Sequence, residues 1–185
     1  MSSKIYRTAL AGLALFVSVA AVAKVFVSLE EALKLAFPGC ETSSETRYLT
    51  DAQIARAKEL SHGEVTSPLV VRYRAVCKGK TAGFGYTDTH RVRTHPETLL
   101  IIVDGEGVLR KIEMLSFEEP QDYIPKGEWY RQFQDQPLTN ELELKRRIPP
   151  VTGASLTARA TTQAARRVLA IDQVLRQVLR TVSPK

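Results

Sequence analysis

The stretch 69–116 restricts the fold most, because its apolar residues recur with the two-residue period of strands and tight turns interrupt them. Leu69 to Cys77 alternates apolar side chains with Arg72 and Arg74, the pattern of a half-buried strand. Lys78-Gly79-Lys80 turns that strand into a second one near Ala82 to Thr89. Thr98 to Val103 is apolar on both faces, as a central strand must be, and Asp104-Gly105-Glu106-Gly107 turns it into Val108 to Ser116. Such short turns leave no room for crossover helices, so these strands form an antiparallel hairpin sheet and exclude a doubly wound fold.

Helices flank the sheet. Ser28-Leu29-Glu30-Glu31 opens a short helix with a serine cap and early acids, and Phe37-Pro38-Gly39 stops it. Thr50 and Gln53 have capping-box spacing and open a second helix that runs to Ser61. After an irregular stretch from Phe117 to Pro125 comes a short aromatic helix with Trp129, Tyr130 and Phe133. A long C-terminal helix follows, starting after Thr157, with Val168, Ile171, Leu175, Val178, Leu179 and Val182 on one face. Arg166, Arg167, Arg176 and Arg180 lie elsewhere around it and read as a solvated basic face, with docking to an acidic partner or to lipid headgroups as the alternative. The expected class is α+β: an antiparallel sheet of hairpin strands flanked by helices, with a long C-terminal helix. At 185 residues, 44% of them hydrophobic, the chain supports one main core.

Lys4 and Arg7 precede an uncharged run from Thr8 to Ala23 that ends in Ala21-Val22-Ala23, the pattern of a secretory signal; an uncleaved anchor is the competing reading. Removal of 1–23 takes two positive charges from a formal total of +6, leaving a mild excess. With export, nucleic acid is not the expected partner. The expected organisation is a signal peptide or N-terminal anchor over 1–23, a helical segment over 24–66 and the functional domain over 67–183. The expected location is extracytoplasmic, in a periplasm or on the outer face of the cytoplasmic membrane. Cys40 and Cys77, the only cysteines, allow one disulfide there, and a buried thiol at Cys77 is the other reading.

Several chemistries are excluded. His62, His90 and His95 with two cysteines make no zinc pattern, so no metal is expected. Lys78-Gly79-Lys80-Thr81 resembles the end of a P-loop, but Arg74 stands where the first glycine belongs. Gly153-Ala154-Ser155-Leu156-Thr157 resembles a nucleophile elbow, yet Pro149-Pro150 breaks the strand it needs and no histidine follows. What remains at Thr152 to Thr157 is a small-residue, hydroxyl-rich turn before a long helix. Its amides and positive dipole end suit a phosphate, and a plain helix cap is the alternative.

Thr152-Gly153-Ala154-Ser155-Leu156-Thr157 fits the [ST]-G-A-[ST]-x-[ST] motif, Glu118-Glu119-Pro120 resembles an E-T-P segment, and Trp129 with Phe133 resembles W-x-x-x-F. In this order they resemble the FMN-binding domains of the C subunit of sodium-translocating NADH:quinone oxidoreductase and the G subunit of the Rnf complex. The resemblance covers Gly83 to Leu175. It implies FMN esterified through its phosphate to Thr157 by a flavin transferase that uses FAD as donor. The motif residues Thr152, Gly153, Ala154, Ser155 and Leu156 would surround the phosphate. Tyr86, Thr87, His90, Glu119 and Trp129 are the expected flavin neighbours, because the Gly83 to His90 stretch can admit a flat ring. Pro149 stands where that family usually has an aspartate, which leaves non-covalent FMN as the fallback. The implied role is electron carriage between membrane-associated redox partners, with no catalytic residues, rather than a free-standing enzyme. The rivals are a non-redox binding or regulatory module without flavin, and a flavin reductase with its own substrate; no G-x-G-x-x-G follows a strand to supply a nicotinamide site.

Overall fold

A computed structural model describes residues 24–182, with side chains for 26–177. The expected signal segment and the side chains of Val178, Leu179, Arg180 and Val182 lie outside the described residues. Chain order is β1 (Lys24–Val25), α1 (Leu29–Ala36), β2 (Glu41–Tyr48), α2 (Asp51–Ser61), β3 (Leu69–Cys77), β4 (Lys80–Arg91), β5 (Pro96–Asp104) and β6 (Leu109–Phe117). A 3-10 turn at Gln121–Tyr123, α3 (Gly127–Tyr130), a second 3-10 turn at Arg131–Phe133 and α4 (Ser155–Val182) complete the domain. The strands form one antiparallel sheet in the order β1-β6-β5-β4-β3-β2. The fold is the expected α+β arrangement, with β5 inside the sheet and the long helix last.

Alternation along the strands divides the core. Phe84, Tyr86, Leu99, Ile101 and Val103 face α4, and α2 packs on the outer side of α4. Leu100, Ile102 and Ala75 face the other way and are covered by Leu33 of α1 and by Phe37 just after it. Gly83 and Gly85 serve this packing and not a flat ring. A Cβ at Gly85 would stand 2.9 Å from Leu33 Cδ2, and one at Gly83 would stand 2.5 Å from the Val103 carbonyl.

Two features depart from the sequence reading. The segment 24–66 is not only helical, since β2 adds an edge strand to the sheet, with Glu41 opposite Val76 and Tyr48 opposite Leu69. Its sequence, ETSSETRY, has no apolar face, so burial does not hold it. The Glu45 carboxylate accepts two bonds from Arg72 on β3, at 2.9 and 3.0 Å, and Cys40, just before β2, is joined to Cys77 at the end of β3. The second departure is the environment of the arginines on α4. Arg166 is 2% exposed and donates to the carbonyls of Leu60, Ser61, Thr139 and Leu142, where a solvated side chain was expected. α4 is covered by the sheet and by α2 along much of its length, so Arg166, Arg167 and Arg176 find partners there, while Arg159 stays exposed.

The disulfide closes a loop with a sequence separation of 37. Loop entropy gives such a link about 4 kcal/mol. Reduction, or replacement of Cys40 and Cys77 by serine, is expected to lower the urea midpoint accordingly and to expose β2 to amide exchange before β4 and β5. Unchanged exchange in β2 would contradict this account of the strand.

Candidate functional site

The N-terminus of α4 is built by a glycine turn. Gly153 takes φ +86°, a conformation L side chains avoid, and Ser155 Oγ donates back to the Val151 carbonyl at 3.0 Å. The helix therefore begins at Ser155, two residues before Thr157, and its first regular bond runs from the Ala158 amide to the Ala154 carbonyl at 2.9 Å. Ala154 has no polar side chain to cap the first turn. Among the described residues nothing accepts from the amides of Ser155, Leu156 and Thr157, which leaves a group of donors at the positive end of a long helix.

Thr157 is thus in the first turn of α4. It is buried, and its hydroxyl donates to the Tyr123 carbonyl at 2.6 Å. The Tyr123 ring carries the Arg93 guanidinium 5.0 Å from its centroid. Arg93, Tyr123 and residues 153–157 enclose a cavity of about 180 Å³. Arg93 and Tyr123 were not expected from the sequence, because they belong to loops without periodicity. The one available signal was a basic residue in the turn that follows the Gly83 to His90 stretch.

Glu119 holds the loop that follows Arg93. One carboxylate oxygen accepts from the Thr94 amide at 2.6 Å, the His95 amide at 2.9 Å and the Thr94 hydroxyl at 3.1 Å. The Thr94 amide, with the His95 amide and the Thr94 hydroxyl, holds the Glu119 carboxyl down at about 2 against a smaller effect of burial. The loop after β4, and Arg93 with it, is thereby fixed beside α4. Trp129 Nε1 donates to the Pro149 carbonyl at 2.9 Å, and its ring meets Tyr130 and Phe133 edge-on.

The remaining expected neighbours divide. Thr152 and Gly153 are exposed, and Leu156 is 47% exposed beside the cavity. Tyr86 is in the core: its hydroxyl donates to Asp172 at 2.9 Å, and Asp172 lies about 22 Å along α4 from Thr157. Burial, reinforced by the Asp172 charge, raises the Tyr86 phenol. Thr87 pairs with Leu100, which faces α1, so it points away from α4. His90 is turned inward, 2.8 Å from both Asp88 and Glu97, and Arg167 of α4 makes two bonds to Asp88. Burial opposes a charge on His90, but the bonds to Asp88 and Glu97 outweigh it and push its pKa up to about 9. Burial likewise opposes the charge on Asp88, and His90 and Arg167 bring it down to about 2. The cavity thus gathers Gly153, Ala154, Ser155, Leu156 and Thr157 with Arg93 and Tyr123, and Glu119 holds the loop next to Arg93, while Thr152, Tyr86, Thr87, His90 and Trp129 are not among its lining residues.

No protein-family model, curated protein or solved structure matches this chain. Among the described residues no group of three His, Cys, Asp or Glu side chains is placed to hold a metal ion. The cavity offers an anion open amides and one guanidinium, while the Thr157 and Ser155 hydroxyls donate to the Tyr123 and Val151 carbonyls.

The His90 network sets a pH dependence. Its raised folded pKa means that stabilisation is complete below about 6.5 and is lost as pH rises through about 9. The depressed Asp88 contributes above about 3.8 and is lost as pH falls through about 2. The urea midpoint is expected to decline between about pH 6.5 and 9.5 in the wild type, and His90→Gln is expected to flatten that decline. Equal slopes in the two proteins would contradict the network.

Proposed function

We propose that this chain is an extracytoplasmic flavoprotein that carries FMN on Thr157 through a phosphate ester and relays electrons between membrane-associated redox partners. The observation that carries the reading is the position of Thr157, in the first turn of α4 on the wall of a cavity that also presents Arg93 and the glycine turn. A phosphate diester needs donors, and the amides of residues 155–157 and the Arg93 guanidinium supply them. A cavity of about 180 Å³ is below the size that encloses a whole drug-sized ligand, so it suits the phosphate and the start of the ribityl chain. The rest of the flavin would need room outside it, and the exposed Leu156 beside the cavity leaves that approach open.

The chain's own residues perform holding and tuning, not acid–base chemistry. When bound, the flavin supplies one- and two-electron transfer. Arg93 and the helix end favour a negatively charged group beside them, and Gly153 keeps the approach open, since a Cβ there would meet nothing within 4 Å. Thr157 would react once, during maturation: its Oγ would bond to the FMN phosphorus of FAD as the pyrophosphate P–O bond breaks, AMP would leave, and the hydroxyl proton would pass to a base of the flavin transferase. For that step the hydroxyl must leave the Tyr123 carbonyl, at a net cost of about 1 kcal/mol.

One observation favours the alternative, a non-redox binding or regulatory module without flavin. The Thr157 hydroxyl is already satisfied by Tyr123, as a purely structural threonine would be. Export of the full chain from a host with the flavin transferase, followed by in-gel flavin fluorescence after denaturation, separates the two. Wild-type chain is expected to fluoresce, Thr157→Ala to be dark while folded, and Ser155→Ala to lose at most part of the signal. Fluorescence retained in Thr157→Ala would refute attachment at Thr157, and a colourless wild type would favour the module.

A further inference from the structure

A second cavity, of about 620 Å³, lies along another face of α4. Ser155, Ala158, Arg159, Thr162, Gln163 and Arg166 form its α4 wall, and their recurrence at helical spacing makes one continuous stripe that leaves out Thr157. The end of α2 and the loop 143–150 supply the other walls. Sites that enclose a small organic molecule run to about 300 to 1,000 Å³, and this cavity is within that range where the one at Thr157 is not.

Its floor is a buried cation. Arg166 is 2% exposed, and its five N–H groups are spent on the carbonyls of Leu60, Ser61, Thr139 and Leu142 and on His62 Nδ1, at 2.7 to 3.2 Å. Carbonyls satisfy the hydrogen bonds but leave the charge. The carboxylate paired with it among the described residues, Glu143, stands 4.0 Å away and is shared with His62 at 3.0 Å and Arg146 at 3.7 Å. Arg159 from α4 and Lys145 from the loop also line the cavity. Both are exposed, and among the described residues neither side chain is in an ion pair or a hydrogen bond. The lining thus sets three cations against one carboxylate. The wall opposite α4 also carries His62 and Lys145 at φ 53° and 66°, a conformation uncommon for residues with a Cβ and one that gathers at functional sites.

We propose that this cavity binds a small organic dicarboxylate, with one carboxylate on Arg159, the other on Lys145, and the carbon chain against Leu144, Pro150 and Ala158. The two free cations come from different walls, so two separated anionic groups engage both of them, and the volume far exceeds that of a compact ion such as phosphate. Arg166 contributes its charge and keeps its bonds. The inference does not rest on the flavin reading, since Thr157 is outside the lining.

The test is an amide NMR titration of the full chain with succinate, glutarate and adipate, and with hexanoate as the singly charged control. At least one diacid is expected to give saturable shifts confined to 61–62, 143–150 and 155–166, to weaken as salt is added, and to bind more tightly than hexanoate. Arg159→Gln and Lys145→Gln each remove one charge-assisted contact and are expected to weaken the diacid about tenfold. Both side chains are exposed and unpaired, so these variants keep the fold, and Lys34→Gln on α1 is expected to leave the affinity unchanged. No saturable shift with any of the three diacids, shifts confined to another face, hexanoate binding as tightly, or unchanged affinity in both cavity variants would overturn the site. A chain that binds the diacid but takes no flavin would overturn the flavin reading alone.

Discussion

The fold depends on the burial of α4 on both sides, with the sheet against one side and α2 against the other. Charges on its covered faces must pair, and three of its arginines have different solutions. Arg166 gathers the carbonyls that end α2 and those of the loop at 139–142. Arg167 binds Asp88 of β4, and Arg176 binds Asp172, which also accepts from Tyr86. Losing one partner of such a buried pair costs far more than losing an exposed ion pair. The position of the helix start is therefore set by contacts along its whole length, and the site at its tip inherits that rigidity.

Rigidity at the tip matters for the proposed chemistry. A phosphate held by amides and a guanidinium needs those donors fixed in advance, because each donor ordered on binding would subtract from the gain. Glu119 fixes the loop that carries Arg93, Trp129 holds the Pro149 carbonyl, and Gly153 sets the turn. The acid–aromatic segment between β6 and α4, irregular in backbone, acts as the scaffold of the site. An electron carrier needs no proton donor at the reacting atoms, which is consistent with a site made of backbone, one cation and one hydroxyl.

The sheet was legible in the sequence because β3 to β6 alternate or fill with apolar residues and end in glycine turns. The capping box at Thr50 and Gln53 likewise forms as the spacing implies. Strand β2 was not legible, since its order comes from the Cys40–Cys77 link and the Arg72–Glu45 pair, neither of which leaves a periodic signal. The inward arginines of α4 were misjudged for a similar reason: helical period separates apolar from polar faces, but not a solvated arginine from a paired one. At the site, the 152–157 turn was readable from its residue types. Arg93 and Tyr123 become visible only once the loops that carry them are folded together, and Tyr86 was lost to the core because a strand aromatic looks alike whether it packs or binds.

The most direct test of the account is the intact mass of the exported, fully denatured wild-type chain, with the modified peptide located by fragmentation. The account predicts a gain of one FMN less one water on the peptide that contains Thr157. With transferase activity verified on a control substrate, an unmodified mass, or the same gain at another residue, would contradict it.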